Sequence, residues 1–384
     1  MDCPLCGNKS FVLFSRCQQS GSVHMSDEST RNMRMAGCSN CDFVWNADAF
    51  DNVSEFGDWI NSAYTSYQLL SNDLHHFPLV DPRAEMAKSF LDSHCRWDQI
   101  HNVMEVGSNR GDFLAYLQSC NSHLNLLGVE SSRLSLAGVP TLFGDIRGFN
   151  FSPSFDLIII RQVFEHLLEP KAFLRHLASF LVQGGSLMIE VPYLENDLDE
   201  GIDPWVMEHV THYSERSLAL AGNAAGLSLV GMDRSYQLMA FFRKGGSPEM
   251  VTPLASHNRL QQVHRFCEHV EQTQQEWLDL VQQGYELCFY GASNVFLAVS
   301  GVLKKKWQES WDSTRKCLID DYSQKHSSVV GGIRVQSWDD HIPSGKCIYI
   351  VCAMYRYHRQ KMIPTVLDRI NQQDKVYAMW TPQV

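Results

Sequence analysis

The stretch Val103-Met104-Glu105-Val106-Gly107-Ser108-Asn109-Arg110-Gly111 decides the fold. A short apolar run carries an acid near its end, two glycines follow with three residues between them, and Asp112 to Leu117 is amphipathic. That order predicts a strand, a tight turn and a helix. Glycine at 107 and 111 lets the backbone approach a ligand that a Cβ would hold off. The helix start beyond them offers N–H groups to a polar ligand. Taken alone, a glycine pair after a strand also fits an ordinary turn.

The segments that follow agree with the ligand reading. Leu124 to Gly128 predicts a second strand, with Glu130 just past its end, where an acid accepts hydrogen bonds from both hydroxyls of a ribose. Gly144-Asp145-Ile146 puts a carboxylate near an adenine amino group. Phe155 to Ile160 has the composition of a buried parallel strand, and Gly184 to Pro192 closes the series. This order resembles the class I S-adenosylmethionine (SAM)-dependent methyltransferases. Their first motif, E-x-G-x-x-x-G, is matched by Glu105, Gly107 and Gly111, while Asn109 stands where the NAD fingerprint has its second glycine. The resemblance implies that SAM lies across the strand ends. Glu105, Gly107, Asn109 and Gly111 would form the turn, Glu130 would hold the ribose, Asp145 and Ile146 would flank the adenine, and Arg161 would stand beside the cofactor.

The chain has 384 residues, too many for one ordinary core, so two or three domains are expected. A hydrophobic share of 44% is that of a globular protein, and no apolar run reaches membrane-span length. Met1-Asp2-Cys3-Pro4 lacks the regions of a signal peptide, from which a cytoplasmic location is expected. A net charge of -11 argues against general nucleic-acid binding, but a diphosphate-bearing substrate needs only a local basic site.

Of twelve cysteines, four make a pattern. Cys3-Pro4-Leu5-Cys6 and Cys38-Ser39-Asn40-Cys41 are two C-x-x-C knuckles, the arrangement that completes a tetrahedral zinc site. With four protein ligands such an ion is structural. The intervening residues suffice for a small hairpin or loop, and the module is expected over residues 1–50, forming a wall of the active site.

The linker from Phe50 is aromatic, and Tyr64 or Tyr67 is positioned either to reach over the site or to cap a hydrophobic cluster. Pro82 to Cys95 predicts a helix. After the strand at 155–160, Glu165-His166 falls where strands of an open α/β sheet deliver active-site groups. Trp205-Val206-Met207-Glu208-His209-Val210-Thr211-His212-Tyr213-Ser214 is dense in proton-transfer groups. Here Glu208 is expected to orient His209 and raise its basicity, His209 to act as base, and His212 and Tyr213 to be structural. Ser214 to Ser217 reads as a helix cap.

The C-terminal third repeats strand, glycine turn and helix at Leu287 to Leu303. Further strands are expected at Cys317-Leu318-Ile319-Asp320-Asp321 and at Cys347 to Cys352, a small doubly wound fold. The whole order resembles the sugar C-methyltransferases of nucleotide-linked deoxyketosugars, which join a four-cysteine zinc module, a SAM core and a C-terminal Rossmann-like domain. Tyr290-Gly291-Ala292, Ile319-Asp320-Asp321 and Gly332-Ile333-Arg334-Val335 match that last domain's motifs. The family signature Y-H-E-H-x-S-Y-[FY]-S maps onto 206–214 with Glu208, His209, Tyr213 and Ser214 kept, and with Val206, Met207 and His212 departing from it. The expected fold is α/β: a zinc module (1–50), a methyltransferase core (51–245) and a Rossmann-like substrate domain (246–384). The resemblance implies C-methylation beside a ketone with His209 as base and His166, Tyr64 or Tyr67 as enolate donors. O- or N-methylation of a sugar or another small metabolite is the alternative. A monomer is expected.

Overall fold

The computed structural model describes residues 2–9, 11–18, 31–58, 82–131, 138–199, 205, 208–246, 259–343, 345–353 and 356–382. They form two compact units. One draws on Met1–Phe14, Arg34–Leu194 and His209–Arg259, and the other chiefly on Leu260–Val384.

A small sheet joins β1 (Phe11–Gln18) and β2 (Arg31–Cys38) to the first unit's β3 (Val44–Asn46) and to a strand from far along the chain, β9 (Thr211–His212). β3 lies antiparallel to both β2 and β9, and Asn46 N donates to Val210 O at 2.9 Å. A buried aromatic column follows the same route: Phe43 stacks on Trp45, and Tyr213 lies against Phe43 and Phe164. The cysteine-bearing segment therefore shares its sheet and its core with residues beyond position 200.

The large sheet of this unit is made of β4 (Asn102–Val106), β5 (Asn125–Glu130), β6 (Thr141–Phe143), β7 (Phe155–Arg161), β8 (Leu181–Val191), β10 (Leu227–Asp233) and β11 (Leu238–Lys244). Their order is β10-β11-β8-β7-β4-β5-β6. β11 alone is antiparallel to both its neighbours, and the remaining contacts are parallel. Alternation along the strands sorts the core onto two faces. Met104, Val106, Ile158 and Ile160 pack with Leu174, Leu177 and Leu218 from the helices Pro170–Phe180 and Glu215–Ala224. Val103, Leu157, Ile159 and Met188 pack with Ala87, Leu91, Phe113 and Leu117 from the helices Pro82–His94 and Asp112–Cys120. Strand order reverses at β4, which lies between β5 and β7. Such a switch point opens a crevice at the carboxyl ends of the strands.

The second unit carries a sheet of β12 (Glu286–Tyr290), β13 (Lys316–Ile319), β14 (Val329–Val330), β15 (Ile333–Gln336), β16 (Cys347–Val351), β17 (Lys375–Ala378) and β18 (Thr381–Pro382). The order is β14-β15-β13-β12-β16-β17-β18, with the five inner strands parallel. This is the doubly wound order, with its switch point between β13 and β16 at β12. Behind the sheet, Trp277 of the long helix Arg259–Gln282 stacks on Trp380, and Tyr377 donates to Glu276 at 2.8 Å. No described helix is long and apolar enough to cross a membrane.

Candidate active site and metal centre

The glycine turn forms where β4 ends. Gly107 N donates to Val129 O at 2.8 Å, and Gly107, Asn109 and Gly111 all have positive φ, at 74°, 49° and 83°. A Cβ on Gly107 would stand 2.2 Å from Val163 Cγ2, so the turn admits only glycine there. Asn109 N donates to Glu130 Oε2 at 2.6 Å. The Glu130 carboxylate at the end of β5 thereby fixes the turn's opening. Asp145 caps the short turn Ile146–Gly148 and grips Arg147 through two oxygens. Burial opposes its charge, but Arg147 outweighs it and holds the carboxyl below its ordinary value. Ile146 is buried and its carbonyl accepts from His176 at 3.1 Å.

A row of charge runs across the same edge. Arg161 Nε donates to Glu190 Oε2 at 2.8 Å, and its guanidinium lies 4.2 Å over the Phe113 ring. Burial disfavours the cation, yet Glu190 and Glu105 more than offset this and raise its pKa. Glu105 is buried on β4 with Oε2 lacking a hydrogen bond among the described residues. Burial pushes its pKa up to about 8, against the pull of Arg161. Gln162, at φ 53°, donates to Glu190 and to Gln237 at 3.2 and 3.1 Å. Glu190 and Gln162 were not singled out from the sequence, although an acid closing the apolar run Leu187–Val191 is a signal that could have marked Glu190.

His209 reaches this edge because β9 docks on β3 and Thr211 Oγ1 donates to Glu165 O at 3.1 Å. The carboxylate facing the His209 ring is that of Glu165, 3.9 Å away, and Glu165 also lies 3.8 Å from His166. The two imidazoles meet edge to face at 4.9 Å. Neither oxygen of Glu165 has a hydrogen bond among the described residues, and burial pushes the group up to about 8. Burial, then His166 and His212, lowers His209 well below its ordinary value. The raised basicity expected from Glu208 is therefore corrected: the buried site disfavours the imidazolium more than any acid favours it. Glu208 is itself buried. His212 is buried and pushed down to about 3 by burial, and Tyr213 sits in the aromatic column. Ser214 caps the helix Glu215–Ala224 in a capping box with Ser217. Tyr64, Tyr67, Val206 and Met207 lie outside the described residues.

The four cysteines converge. Cys3 and Cys41 sulfurs are 3.6 Å apart, as are those of Cys6 and Cys38, and all four lie within 4.8 Å of one another. A tetrahedral ion with Zn–S bonds of about 2.3 Å needs sulfurs roughly 3.8 Å apart. Asn40 N points to Cys38 Sγ at 3.4 Å, backbone support of the kind a knuckle provides. The donor set and its dimensions fit a closed structural zinc site.

In the second unit the turn after β12 is held from several sides. Gly291 has φ 107°, and a Cβ there would meet Cys352 O at 2.9 Å. Ala292 N donates to Asp320 Oδ2 at 2.8 Å, and Asp320 also binds Lys325 at 3.0 Å. Ser293 caps the helix Asn294–Trp307, and the Tyr290 hydroxyl donates to Asp321.

Comparison with known proteins agrees with this arrangement. A family model described as a methyltransferase domain matches residues 50–231. The chain is 25% identical over 148 residues to (S)-coclaurine N-methyltransferase of Thalictrum flavum subsp. glaucum, covering 33% of this chain and 40% of that protein. It is 25% identical over 134 residues to malonyl-[acyl-carrier protein] O-methyltransferase of Paenibacillus sp. (strain JDR-2), covering 31% and 49%. It thus spans less than half the length of either curated relative. Among solved structures, magnesium protoporphyrin IX methyltransferase from Synechocystis PCC 6803 overlays with a TM-score of 0.37 at 14% identity, over 49% of this chain and 99% of that one. The match to a methyltransferase domain over residues 50–231 falls on most of the large sheet, its glycine turn included.

Proposed function

We propose that the protein transfers a methyl group from SAM to a carbon beside the ketone of a nucleotide-linked deoxyketosugar. The observation that carries this reading is half-buried His209 lying 3.9 Å from buried Glu165 at the carboxyl edge of the sheet. Carbon becomes a nucleophile only when a base takes the adjacent proton. With its pKa lowered, His209 is unprotonated at neutral pH and free to accept that proton. Glu165, which burial keeps mostly protonated at neutral pH by pushing it up to about 8, lies against the ring, and an imidazolium forming there favours its ionised form. His166, on the same carboxylate, is placed to donate toward an enolate oxygen. SAM, when bound, supplies an electrophilic methyl group. The glycine turn, Glu130 and the buried edge of Glu105 and Arg161 are the residues that would hold it. The C-terminal doubly wound unit would take the nucleotide, with Gly291-Ala292-Ser293 as its diphosphate contact. The division of labour follows the three segments 1–50, 51–245 and 246–384.

The second reading is O- or N-methylation of a sugar or other small metabolite. It is favoured by the replacement of the signature's tyrosine and histidine by Val206 and Met207 and by the N- and O-methyltransferases among the relatives. One experiment separates them. Nucleotide-linked 4-keto-6-deoxysugars are incubated with the enzyme in deuterated water, without SAM and then with labelled SAM. Deuterium entering the carbon beside the ketone, followed by a carbon-bound methyl group in NMR, is expected. Methyl transfer to oxygen or nitrogen with no exchange at carbon moves the assignment to the second reading.

A further inference from the structure

The second unit holds another cluster of reactive side chains, which has no part in the reading above. Cys288 lies in the middle of β12, with Cys317 directly opposite it on β13. Cys347 opens β16, opposite Glu286. His341 comes in from the connection between β15 and β16. The sulfurs of Cys288 and Cys317 and a ring nitrogen of His341 lie within 4.8 Å of one another. Cys288, Cys347 and a Glu286 oxygen do so as well. Glu286 is already engaged by Arg315 at 2.8 Å, which leaves three sulfurs and one imidazole.

We propose that Cys288, Cys317, Cys347 and His341 bind a second structural zinc ion, clamping the centre of the C-terminal sheet. Three soft sulfurs and an imidazole are a set that selects zinc. Buried cysteines alone would be ordinary core residues; a histidine ring aimed at them is not. Cys288 Sγ stands 4.0 Å from His341 Nε2. Tetrahedral bonds of about 2.0–2.3 Å need donors about 3.5–3.8 Å apart, so Cys288, Cys317 and His341 close on an ion with movements of about 1 Å, while Cys347, which lies within 4.8 Å of Cys288, has further to swing to complete the shell. The ring is already oriented, with Gln336 Nε2 placed 3.2 Å from Nδ1 and the Tyr349 hydroxyl 3.0 Å from Nε2. The Gln336 amide, turned over, accepts from Nδ1–H, the usual outer support of a ligating histidine, and Nε2 faces the metal once the Tyr349 hydroxyl turns aside. The cluster shares protons among its members: Cys288 is pushed up by its hydrogen bonds to Cys317 and Cys347, and a metal would displace the protons that remain. The hydrogen bond with Cys288, and then His341, draw Cys317 down to about 7 and Cys347 down to about 6. Hydrogen bonds to those two sulfurs push His341 up to about 9. Four protein donors close the coordination shell, so the ion is structural. Cys288 precedes the Gly291 turn by three residues, roughly 10 Å along the strand, so the clamp stands apart from the proposed diphosphate contact.

The test is the zinc content of the purified full-length chain, measured by mass spectrometry of the metal. Two ions per chain are expected. His341→Ala and Cys317→Ser should each lower the count by one, and Cys6→Ser should independently remove the N-terminal ion. Unchanged zinc in both His341→Ala and Cys317→Ser overturns the proposal, whatever the N-terminal count. Because those variants alter core side chains, cobalt(II) is also added to metal-free Cys6→Ser, whose C-terminal cluster is intact. Thiolate-to-cobalt charge-transfer bands with tetrahedral visible absorption are expected there, and their absence in the folded protein overturns the proposal.

Discussion

The two doubly wound sheets of this chain finish their carboxyl edges in opposite ways. At the edge of the first, Glu105 and Glu165 are buried with oxygens lacking hydrogen bonds among the described residues, and burial pushes both up to about 8. At the edge of the second, the acids are engaged: Asp320 holds Ala292 N, Tyr322 N and Lys325, and Asp321 takes the Tyr290 hydroxyl. Buried polar groups without partners are costly and are concentrated where a protein does chemistry. Satisfied ones build a stiff surface that binds through its backbone. On the proposed function, the same topology serves once as a reactive edge and once as a platform.

The sharpest way to break this contrast is His209→Ala. Loss of a general base lowers turnover on the order of 10²–10⁴-fold, while SAM affinity measured by calorimetry stays within about twofold of the parent. Normal turnover would remove the reactive edge from the mechanism. Next in size is Gly107→Ala. The positive φ and the approach to Val163 bring strain of about 1–3 kcal/mol. SAM binding should weaken by roughly 5- to 150-fold at that cost, and binding at parental strength would show that the turn is not the cofactor cradle.

Glu165→Gln tests the electrostatics. A carboxyl raised to about 8 from the ordinary 4.5 stabilises the fold fully below pH 4.5 and loses that contribution as the pH rises through 8. The buried histidines act in the opposite sense, since depressed imidazoles lose stability as the pH falls below 6.5. The informative quantity is therefore the difference in melting temperature between variant and parent. It should shift in favour of Gln between about pH 5 and 8 and be flat below 4.5. A difference independent of pH would mean that Glu165 is ionised throughout. The smallest effect belongs to the platform. Ser293→Ala removes a helix cap worth about 1 kcal/mol, lowering the stability of the C-terminal unit with SAM affinity unchanged; weaker SAM binding would show that the two edges are not separate in function.

The legible parts of this site were the local ones. The E-x-G-x-x-x-G turn, the paired knuckles and the Ser214 cap each lie within a few residues, and each appears in the structure where the spacing put it. Strand limits moved by only a few residues: the strand expected from Gly184 runs from Leu181. Glu165 as the carboxylate opposite His209 was not legible. Forty-four residues separate the two, and they meet only because β9 pairs with β3. The adjacent Glu208 was the natural expectation from one dimension.

The two cysteine clusters show the same boundary. Cys3, Cys6, Cys38 and Cys41 are read as a metal site from spacing alone, because a knuckle is a local turn whose geometry its own residues dictate. Cys288, Cys317, His341 and Cys347 have no common spacing, and the register of parallel strands brings them together. The sequence by itself determined the E-x-G-x-x-x-G turn, the paired cysteine knuckles and the succession of strands and helices in two α/β units, since backbone conformation and hydrophobic period are short-range properties. Tertiary structure alone decided which acid faces His209, how far burial shifts their protons, and that the cysteine segment shares a sheet with β9. Those depend on pairings across 30 to 170 residues and on the exclusion of water by packing, which no local pattern encodes.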